Sequence, residues 1–265
     1  MHVVAVVVTY KRPEVTRCVR LLRAQTRPPD DILVVDNGGE ARSALADDPD
    51  VRIVDTGENL GPAGGYGVGF ASALDMGADM IWALDDDSEP DRSCLERLLA
   101  HHPGTARILV PRQVKPLGWE GFPPSWHGPL IDAEVVRTIG LPRADLFFWA
   151  EDTEFYERAA AAGFVLQRVP DAEVFHPDTT DRSRGDARSW RLYYEVRNSL
   201  ELRFRILRGR RTKPVYRGIR TIYRIVGKAA AIVLFEPRKV SSLRMWWWGI
   251  RDFRRRRFGR VLEPD

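Results

Sequence analysis

Apolar residues fall along the first part of the chain in short blocks separated by amphipathic stretches. Val3–Thr9 is a nearly continuous β-branched run, the pattern of a parallel strand buried on both faces. Over Pro13–Gln25 the positions Val15, Val19 and Leu22 take helical spacing. Ile32–Val35 is a second short strand, closed by the turn cluster Asp36-Asn37-Gly38-Gly39. Val51–Val54 reads as a third strand, Gly65–Met76 as a helix, and Met80–Leu84 as a fourth strand. Ser93–Ala100 is predicted helical and Ile108–Pro111 extended. From Lys115 to Pro129 the chain turns to Pro, Gly and Trp, which predicts a loop able to cover a ligand. Glu151–Ala162 is a helix, Val165–Val169 a strand, and Val174–His176 ends in a turn. After Ser189 the pattern is helical and basic, over Trp190–Leu207, Val215–Phe235 and Ser241–Phe258.

Strands alternating with helices predict an α/β fold with a mostly parallel sheet flanked by helices. Ligands of such sheets bind at the carboxyl ends of the strands. Thr9-Tyr10, Asp36-Asn37 and Asp85–Asp87 each follow an apolar strand directly, so three strand ends point to one crevice.

Charge changes this picture. Residues 182–265 hold 24 Lys and Arg against 7 Asp and Glu, and residues 1–181 hold 17 against 30. The net +4 conceals an acidic part joined to a basic one. A basic tail of this kind meets phosphate, in nucleic acid or anionic lipid; with no recognised nucleic-acid module, a nucleic-acid partner is not expected. At 44% hydrophobic residues the chain is not disordered. Cys18 and Cys94, with no CxxC pair, exclude a disulfide framework or zinc knuckle and read as buried residues of a reducing compartment. Met1-His2 leads into Val3–Val8 without a basic leader or cleavage site. That run is far shorter than the roughly 20 residues a bilayer span needs, so the expectation is a cytoplasmic protein that begins at its first strand.

Asp85-Asp86-Asp87 is the strongest chemical signal. Alternate residues of extended backbone share a face, so Asp85 and Asp87 are expected together and Asp86 apart. Adjacent carboxylates repel, and a hard cation such as Mg²⁺ or Mn²⁺ relieves that repulsion. The competing reading is an exposed acidic turn before the helix at Ser93; the buried strand ahead of the acids favours a site. Asn59-Leu60-Gly61-Pro62-Ala63-Gly64-Gly65-Tyr66-Gly67 is a glycine-rich loop before a helix, where backbone can approach a phosphate or sugar. No Gly-Lys-Ser/Thr follows, so it is not a P-loop, and a plain turn is the alternative. Glu151-Asp152 opens a helix, where acids complement the dipole or where one acts as general base toward a hydroxyl. His176 is a candidate third metal ligand, and His127 beside Trp126 is its alternative. Trp246-Trp247-Trp248 with Arg251 and Arg254–Arg257 suits a helix lying in a membrane interface. Packing of the tryptophans on the rest of the protein, or an interface between copies of the chain, is the other reading.

Taken in order, Val-Val-Val-Thr-Tyr-Lys-Arg-Pro at 6–13, Val-Val-Asp-Asn at 34–37, Asn-Leu-Gly-Pro-Ala-Gly-Gly at 59–65, Leu-Asp-Asp-Asp at 84–87, Phe-Trp-Ala-Glu-Asp at 148–152 and Phe-His-Pro at 175–177 resemble glycosyltransferase family 2, the inverting enzymes of the GT-A (nucleotide-diphospho-sugar transferase) fold. Tyr193-Tyr194-x-x-Arg197-Asn198 is similar to the segment after the catalytic domain in bacterial rhamnosyl- and galactofuranosyltransferases. The resemblance implies a GT-A catalytic domain over 1–181 and a basic, aromatic-rich helical region over 182–265 for the membrane and acceptor. It implies that Thr9, Tyr10, Arg12, Asp36 and Asn37 hold the nucleotide, that Asn59, Gly61, Gly64 and Gly65 line the donor, that Asp85 and Asp87 serve the metal and the diphosphate, and that Asp86 supports the site or contacts the donor sugar. Asp85, Asp87 and His176 become the ligands of Mg²⁺ or Mn²⁺, and Asp152 the catalytic base. The implied partners are a UDP- or dTDP-linked sugar, with UDP-galactofuranose and dTDP-rhamnose favoured, and a glycan or polyprenyl-linked acceptor on the anionic inner face of the cell membrane. The Gln-x-x-Arg-Trp motif and membrane spans of processive members are missing from the sequence, which points to addition of one or a few sugars. Two other classes use similar pieces. A nucleotidyltransferase would place its glycine-rich loop after the first strand, where Thr9-Tyr10-Lys11-Arg12-Pro13 stands instead. A catalytically dead, membrane-tethered sugar-nucleotide-binding module would not need Asp152.

Overall fold

The run Val3–Thr9 forms β1, buried at all 7 positions. Alternation sends Val3, Ala5 and Val7 into one core and Val4, Val6 and Val8 into another. The first core receives Val15, Cys18, Val19 and Leu22 of α1 (Val15–Arg23). The second receives Tyr66, Phe70 and Ala73 of α3 (Gly61–Asp75). Each valine buried this way contributes about 1.5–3 kcal/mol, so a polar residue anywhere in β1 would be costly. The computed structural model describes residues 1–102, 107–114, 125–177, 189–204, 226–235 and 238–262.

Parallel strands β2 (Asp31–Asp36) and β4 (Met80–Asp85) flank β1, and β3 (Arg52–Asp55) lies parallel beyond β2. The register pairs Thr9 with Asp36 and Val8 with Asp85. Three carboxyl ends are therefore level, and their polar residues share one edge of the sheet. Beyond β4 the order runs β7 (Leu130–Asp132), β6 (Arg107–Val114), β8 (Val165–Phe175) and β5 (Glu89–Pro90). Here the expected mostly parallel sheet needs refinement. β7 is antiparallel to both β4 and β6, and β5 is antiparallel to β8, while β6 and β8 are parallel. With 3 and 2 residues, β7 and β5 are too short to leave a periodic signal. The two extended pieces expected at 165–169 and 174–176 are one strand, β8, whose pairing slips between Pro111 and Arg112 of β6; proline lacks the N–H the ladder needs.

Helices α2 (Ala41–Ala44) and α4 (Cys94–Ala100) accompany the first core, and α5 (Ala133–Ile139) and α6 (Glu151–Ala161) the second. The sequence pattern did not show α5. It is announced only by its cap, where Asp132 accepts the N–H of Glu134 at 2.9 Å. Cys18 and Cys94 are both buried and free.

The tail forms α7 (Ser189–Phe204), α8 (residues 226–235) and α9 (Lys239–Arg254). The part of the expected helix at 215–225 lies outside the described residues, as do 115–124 of the expected covering loop. α9 crosses α7 at Gly249, where a Cβ would stand 2.8 Å from the Tyr193 carbonyl oxygen. Tyr193 Oη donates to the buried Asp252 at 3.0 Å. Phe147 from the first part of the chain joins Tyr193, Tyr194 and Met245 in a third core. The tail is thus packed against the catalytic edge rather than hung from it. Among the described residues no helix is long and apolar enough to cross a membrane.

Candidate active site

β1, β2 and β4 deliver the polar residues to one place. Thr9 Oγ1, buried at the end of β1, donates to Asp86 Oδ2 at 2.8 Å. Arg12 Nη1 reaches Asp86 Oδ1 at 3.1 Å and Asp87 Oδ2 at 2.6 Å. Tyr66 Oη donates to Asp85 Oδ1 at 2.6 Å. The three acids therefore do not alternate as an extended strand would. β4 ends at Asp85, and a turn closed by Ser88 N–H on the Asp85 carbonyl oxygen at 3.0 Å swings Asp86 and Asp87 together onto Arg12.

Burial pushes Asp86 up to about 7, against the pull of Arg12 and Thr9. At Asp87 burial is overcome by His176 and Arg12, which hold the carboxyl well below the usual range. Asp85 is also pushed up by burial, but His127 and Tyr66 outweigh it and its carboxyl lies low.

Two imidazoles cap this acidic edge. His127 Nδ1 lies 3.1 Å from Asp85 Oδ2, and His176 Nε2 lies 3.1 Å from Asp87 Oδ1. The two rings pack on each other with centroids 3.9 Å apart. Asp85, His127 and His176 each offer a ligand atom within 4.8 Å of the others, the one such group found among the described residues. This differs from the expected set of Asp85, Asp87 and His176. Asp87 is shared between Arg12 and His176, and His127 stands beside Asp85 as the second imidazole of the group. His127 is held firmly. Its neighbour Trp126 packs against Tyr66, Phe70, Phe155 and Tyr156 at centroid distances of 4.6, 5.5, 5.6 and 5.5 Å. Gly128 on its other side donates to the Ala83 carbonyl oxygen at 2.9 Å. One carboxylate and two imidazoles suit Mn²⁺ better than Mg²⁺, which prefers oxygen throughout.

The donor-side residues are more structural than expected. Asp36 turns its buried carboxylate into its own loop, accepting the N–H groups of Gly38, Gly39 and Ala41 at 2.9, 2.8 and 2.7 Å. Asn37 donates to the Gly61 carbonyl oxygen at 3.1 Å and accepts from Thr56 Oγ1 at 3.2 Å. Asn59 Oδ1 accepts the Gly61 N–H at 2.8 Å. Gly61, Gly64 and Gly65 are buried in the first turns of α3 rather than in an open loop ahead of it. A Cβ on Gly61 would stand 2.1 Å from the Phe147 carbonyl oxygen, and one on Gly65 would stand 2.6 Å from Val8 Cγ1. The glycines let α3 press onto β1 and onto the segment that carries Phe147. Tyr10 remains exposed at the mouth of this edge.

The acid pair follows an unusual backbone. Phe147, Trp149 and Ala150 have φ of 61°, 76° and 69°, conformations that cost side-chain-bearing residues about 1–3 kcal/mol each. Ala150 then caps α6, and Glu151 and Asp152 form its first turn, where the helix N-terminus favours anions. Glu151 is buried, and its Oε2 has no hydrogen-bond partner among the described residues. Burial raises both carboxyls; the neighbouring Asp152 charge adds to the rise at Glu151, while Thr153 and His127 restrain Asp152. The charge of His127 draws the Asp152 carboxyl down and that of Asp85 pushes it up.

The sequence marks His127 only as an alternative to His176, and it does not single out Tyr66, the buried character of Glu151, or any contact of α7 with this site. His127 had a signal, since it stands in a loop expected to cover the crevice. Tyr66 had none, because its role depends on packing of α3 against β4.

Residues 4–150 match the family model described as Glycosyl transferase family 2. The chain is 31% identical over 216 residues to the galactofuranosyltransferase GlfT1 of Mycobacterium tuberculosis, covering 68% of this chain and 71% of that protein. It is 25% identical over 204 residues to the dTDP-rhamnosyl transferase RfbF of Shigella flexneri, covering 66% and 69%. The fold superposes on S. aureus TarS 1-349 in complex with UDP-GlcNAc with a TM-score of 0.64 at 14% identity, over 96% of this chain and 80% of that one. With strand ends, acids and histidines assembled at one edge of a GT-A fold, and with the family match covering residues 4–150, the strand ends and the triple acid among them, the chain belongs to glycosyltransferase family 2.

Proposed function

We propose that this glycosyltransferase moves a single sugar from UDP-galactofuranose or dTDP-rhamnose to a lipid-linked or cell-surface glycan precursor, with inversion and with Asp152 as the base. The observation that carries the reading is the grouping of Asp85, His127 and His176, beside which burial raises the proton affinity of Asp152 and His127 restrains it. The donors are those in the names of the similar proteins.

Asp85, His127 and His176 would hold a divalent metal, Mn²⁺ by preference. When bound, such an ion supplies Lewis-acid stabilisation of a leaving diphosphate. The chain's own residues do the rest. Arg12 brings a cation to the diphosphate side, and Tyr10 offers an exposed ring to the base. Thr9, Asp36, Asn37 and Asn59 hold the shape of the walls. Asp152 Oδ takes the proton of the acceptor hydroxyl as its oxygen attacks the anomeric carbon. A raised proton affinity suits that task, because a base works best with a pKa near the operating pH. Displacement from the face opposite the leaving group inverts the centre.

For the tail, the reading is peripheral association with an anionic inner membrane face. Trp247 is 55% exposed, Phe235 81% and Val240 83%, and Arg251, Arg254 and Arg255 line a surface groove with Trp247. Trp248, by contrast, packs on the third core, so only part of the tryptophan run is free to meet lipid.

The test is nucleoside diphosphate release from the two donors with Mn²⁺ and a polyprenyl-linked acceptor. Asp152→Asn should abolish transfer and leave donor binding intact. Wild-type rates in that variant would remove the base, and full activity in EDTA would remove the metal.

A further inference from the structure

The backbone ahead of the acid pair is only partly held by its own hydrogen bonds, from Phe147 N–H to the Ala144 carbonyl oxygen at 3.1 Å and from Phe148 N–H to that of Leu146 at 2.7 Å. Phe147, Trp149 and Ala150 sit at positive φ, where residues with a Cβ relax toward ordinary conformations unless their surroundings forbid it. Of the segment's carbonyls, that of Phe147 accepts from Ala63 N–H of α3 at 3.3 Å and that of Ala150 from Glu154 N–H of α6 at 2.9 Å. The carbonyls of Leu146, Phe148 and Trp149 point the other way, toward α7.

There they meet two adjacent side chains, Asn198 and Arg197. Asn198 Nδ2 lies 2.9, 2.7 and 2.9 Å from the oxygens of Leu146, Phe148 and Trp149. Its own Oδ1 accepts from Arg197 Nε at 2.8 Å, which fixes which end of the amide faces the loop. Arg197 is fully buried. Its Nη2 donates to the Leu146 oxygen and its Nη1 to the Gly259 oxygen, both at 2.9 Å. Its guanidinium lies 4.8 Å from the Tyr194 ring centroid and 5.1 Å from that of Phe258. A planar fork spent on carbonyls and aromatic faces fixes a direction as well as a distance.

We propose that Arg197 and Asn198 are positioning residues of the transfer reaction: from α7 they clamp the left-handed segment Phe147–Ala150 and so set the direction in which Asp152 leaves the start of α6. The inference rests on the role of Asp152 proposed above. It makes the tail part of the catalytic apparatus, whatever surface its outer face meets.

Holding α7 in place is a separate task with separate contacts. Tyr194 Oη accepts the N–H groups of Val261 and Leu262 at 3.0 and 3.1 Å, and that network touches no carbonyl of the acid segment. Tyr194→Phe removes only this hydroxyl and leaves in place the ring that faces Arg197 and Phe147, so it is the control for stability alone.

The experiment compares wild type, Asn198→Ala, Arg197→Lys and Tyr194→Phe in the full chain. Amide hydrogen exchange is followed over residues 146–152, and kcat and KM are measured for UDP-galactofuranose or dTDP-rhamnose with Mn²⁺, below the Tm of every variant. Asn198→Ala should speed exchange in that segment and lower kcat at least ten-fold, with donor KM within two-fold of wild type. Arg197→Lys, which keeps the charge and loses the fork, should fall between. Tyr194→Phe should lower Tm comparably and keep kcat. Unchanged exchange or unchanged kcat in Asn198→Ala overturns the proposal, as does a kcat that merely follows Tm across all three variants. A wild-type protein that transfers sugar from neither donor overturns the donor reading, and the exchange measurement still decides whether the clamp exists.

Discussion

Three glycines near the site separate conformational strain from steric clash. Gly57 has φ +70° and nothing within 4 Å of the place a Cβ would occupy, and Gly61 has φ +67° with the Phe147 carbonyl oxygen 2.1 Å from that place. Gly67 lies within α3, its φ is ordinary, and its nearest obstacle is the Pro142 oxygen at 3.8 Å. A left-handed conformation costs an alanine about 1–2 kcal/mol, so Gly57→Ala should lose about that much. Gly61→Ala adds an overlap with backbone, which cannot rotate away, and overpacking of this kind costs about 1–3 kcal/mol more. The expected total is about 2–5 kcal/mol. Gly67→Ala gains helix propensity without a clash, so it should stabilise by up to about 1 kcal/mol.

Urea unfolding gives the free energies directly, and each kcal/mol should move the Tm by about 2–4 °C in a chain of this size. The series also bears on transfer. Gly61→Ala pushes on the carbonyl of Phe147, itself at positive φ, so its folded fraction should transfer slowly while Gly57→Ala keeps its rate. If the glycines served mainly to admit a ligand, Gly65→Ala would weaken donor binding and leave the unbound protein stable. Since a Cβ there would stand 2.6 Å from Val8 Cγ1, the expectation is a destabilised unbound protein. Equal stability of Gly57→Ala and Gly61→Ala, or a loss in Gly67→Ala, would refute the packing of α3 against the acid segment.

Metal affinity, followed by electron paramagnetic resonance of Mn²⁺, should rank the acids and histidines. His127→Ala and His176→Ala should abolish binding, whereas Asp87→Asn, which only orients His176, should weaken it about 10–100-fold; the reverse order would restore Asp87 as a ligand. Asp86 sets a pH dependence in metal-free protein. Its carboxyl moves from an ordinary value of 3.8 to about 7 on folding, so the folded state holds the extra proton between those values. Its stabilising contribution is complete below pH 3.8 and lost as pH rises through 7, by at most roughly 4 kcal/mol at about 1.36 kcal/mol per pH unit. Urea unfolding in EDTA at about pH 5 and about pH 8, on either side of the shifted carboxyl, should show that fall in wild type and a smaller one in Asp86→Asn; equal slopes would show that Arg12 neutralises the cost. Trp247→Ala should reduce sedimentation with anionic liposomes, and binding insensitive to both salt and this change would remove the membrane reading.

What the sequence made legible follows from the range of the forces involved. β1 could be read because its burial on both faces leaves a continuous apolar run, and the strand ends could be read because polar residues follow such runs abruptly. Asp85 was legible for the same reason, while the direction of Asp87 is set by the turn after the strand end, where the alternation rule stops. β7, with 3 residues, is defined by its neighbours rather than by its own pattern. The acid segment lies furthest beyond local reading. Propensity argues against left-handed Phe147, Trp149 and Ala150, and what overrides it is an amide that stands 49 residues beyond Trp149 in the chain. Charge suggested that the tail was a surface device, and its outer face fits that description. Its inner face does something that composition cannot show. Arg197 is buried beside aromatic rings, not in an acidic pocket, and Asn198 spends its amide on strained carbonyls. A basic residue in a basic tail is thus committed to the backbone that leads into Asp152, and this is why the conformation of the site should depend on the tail.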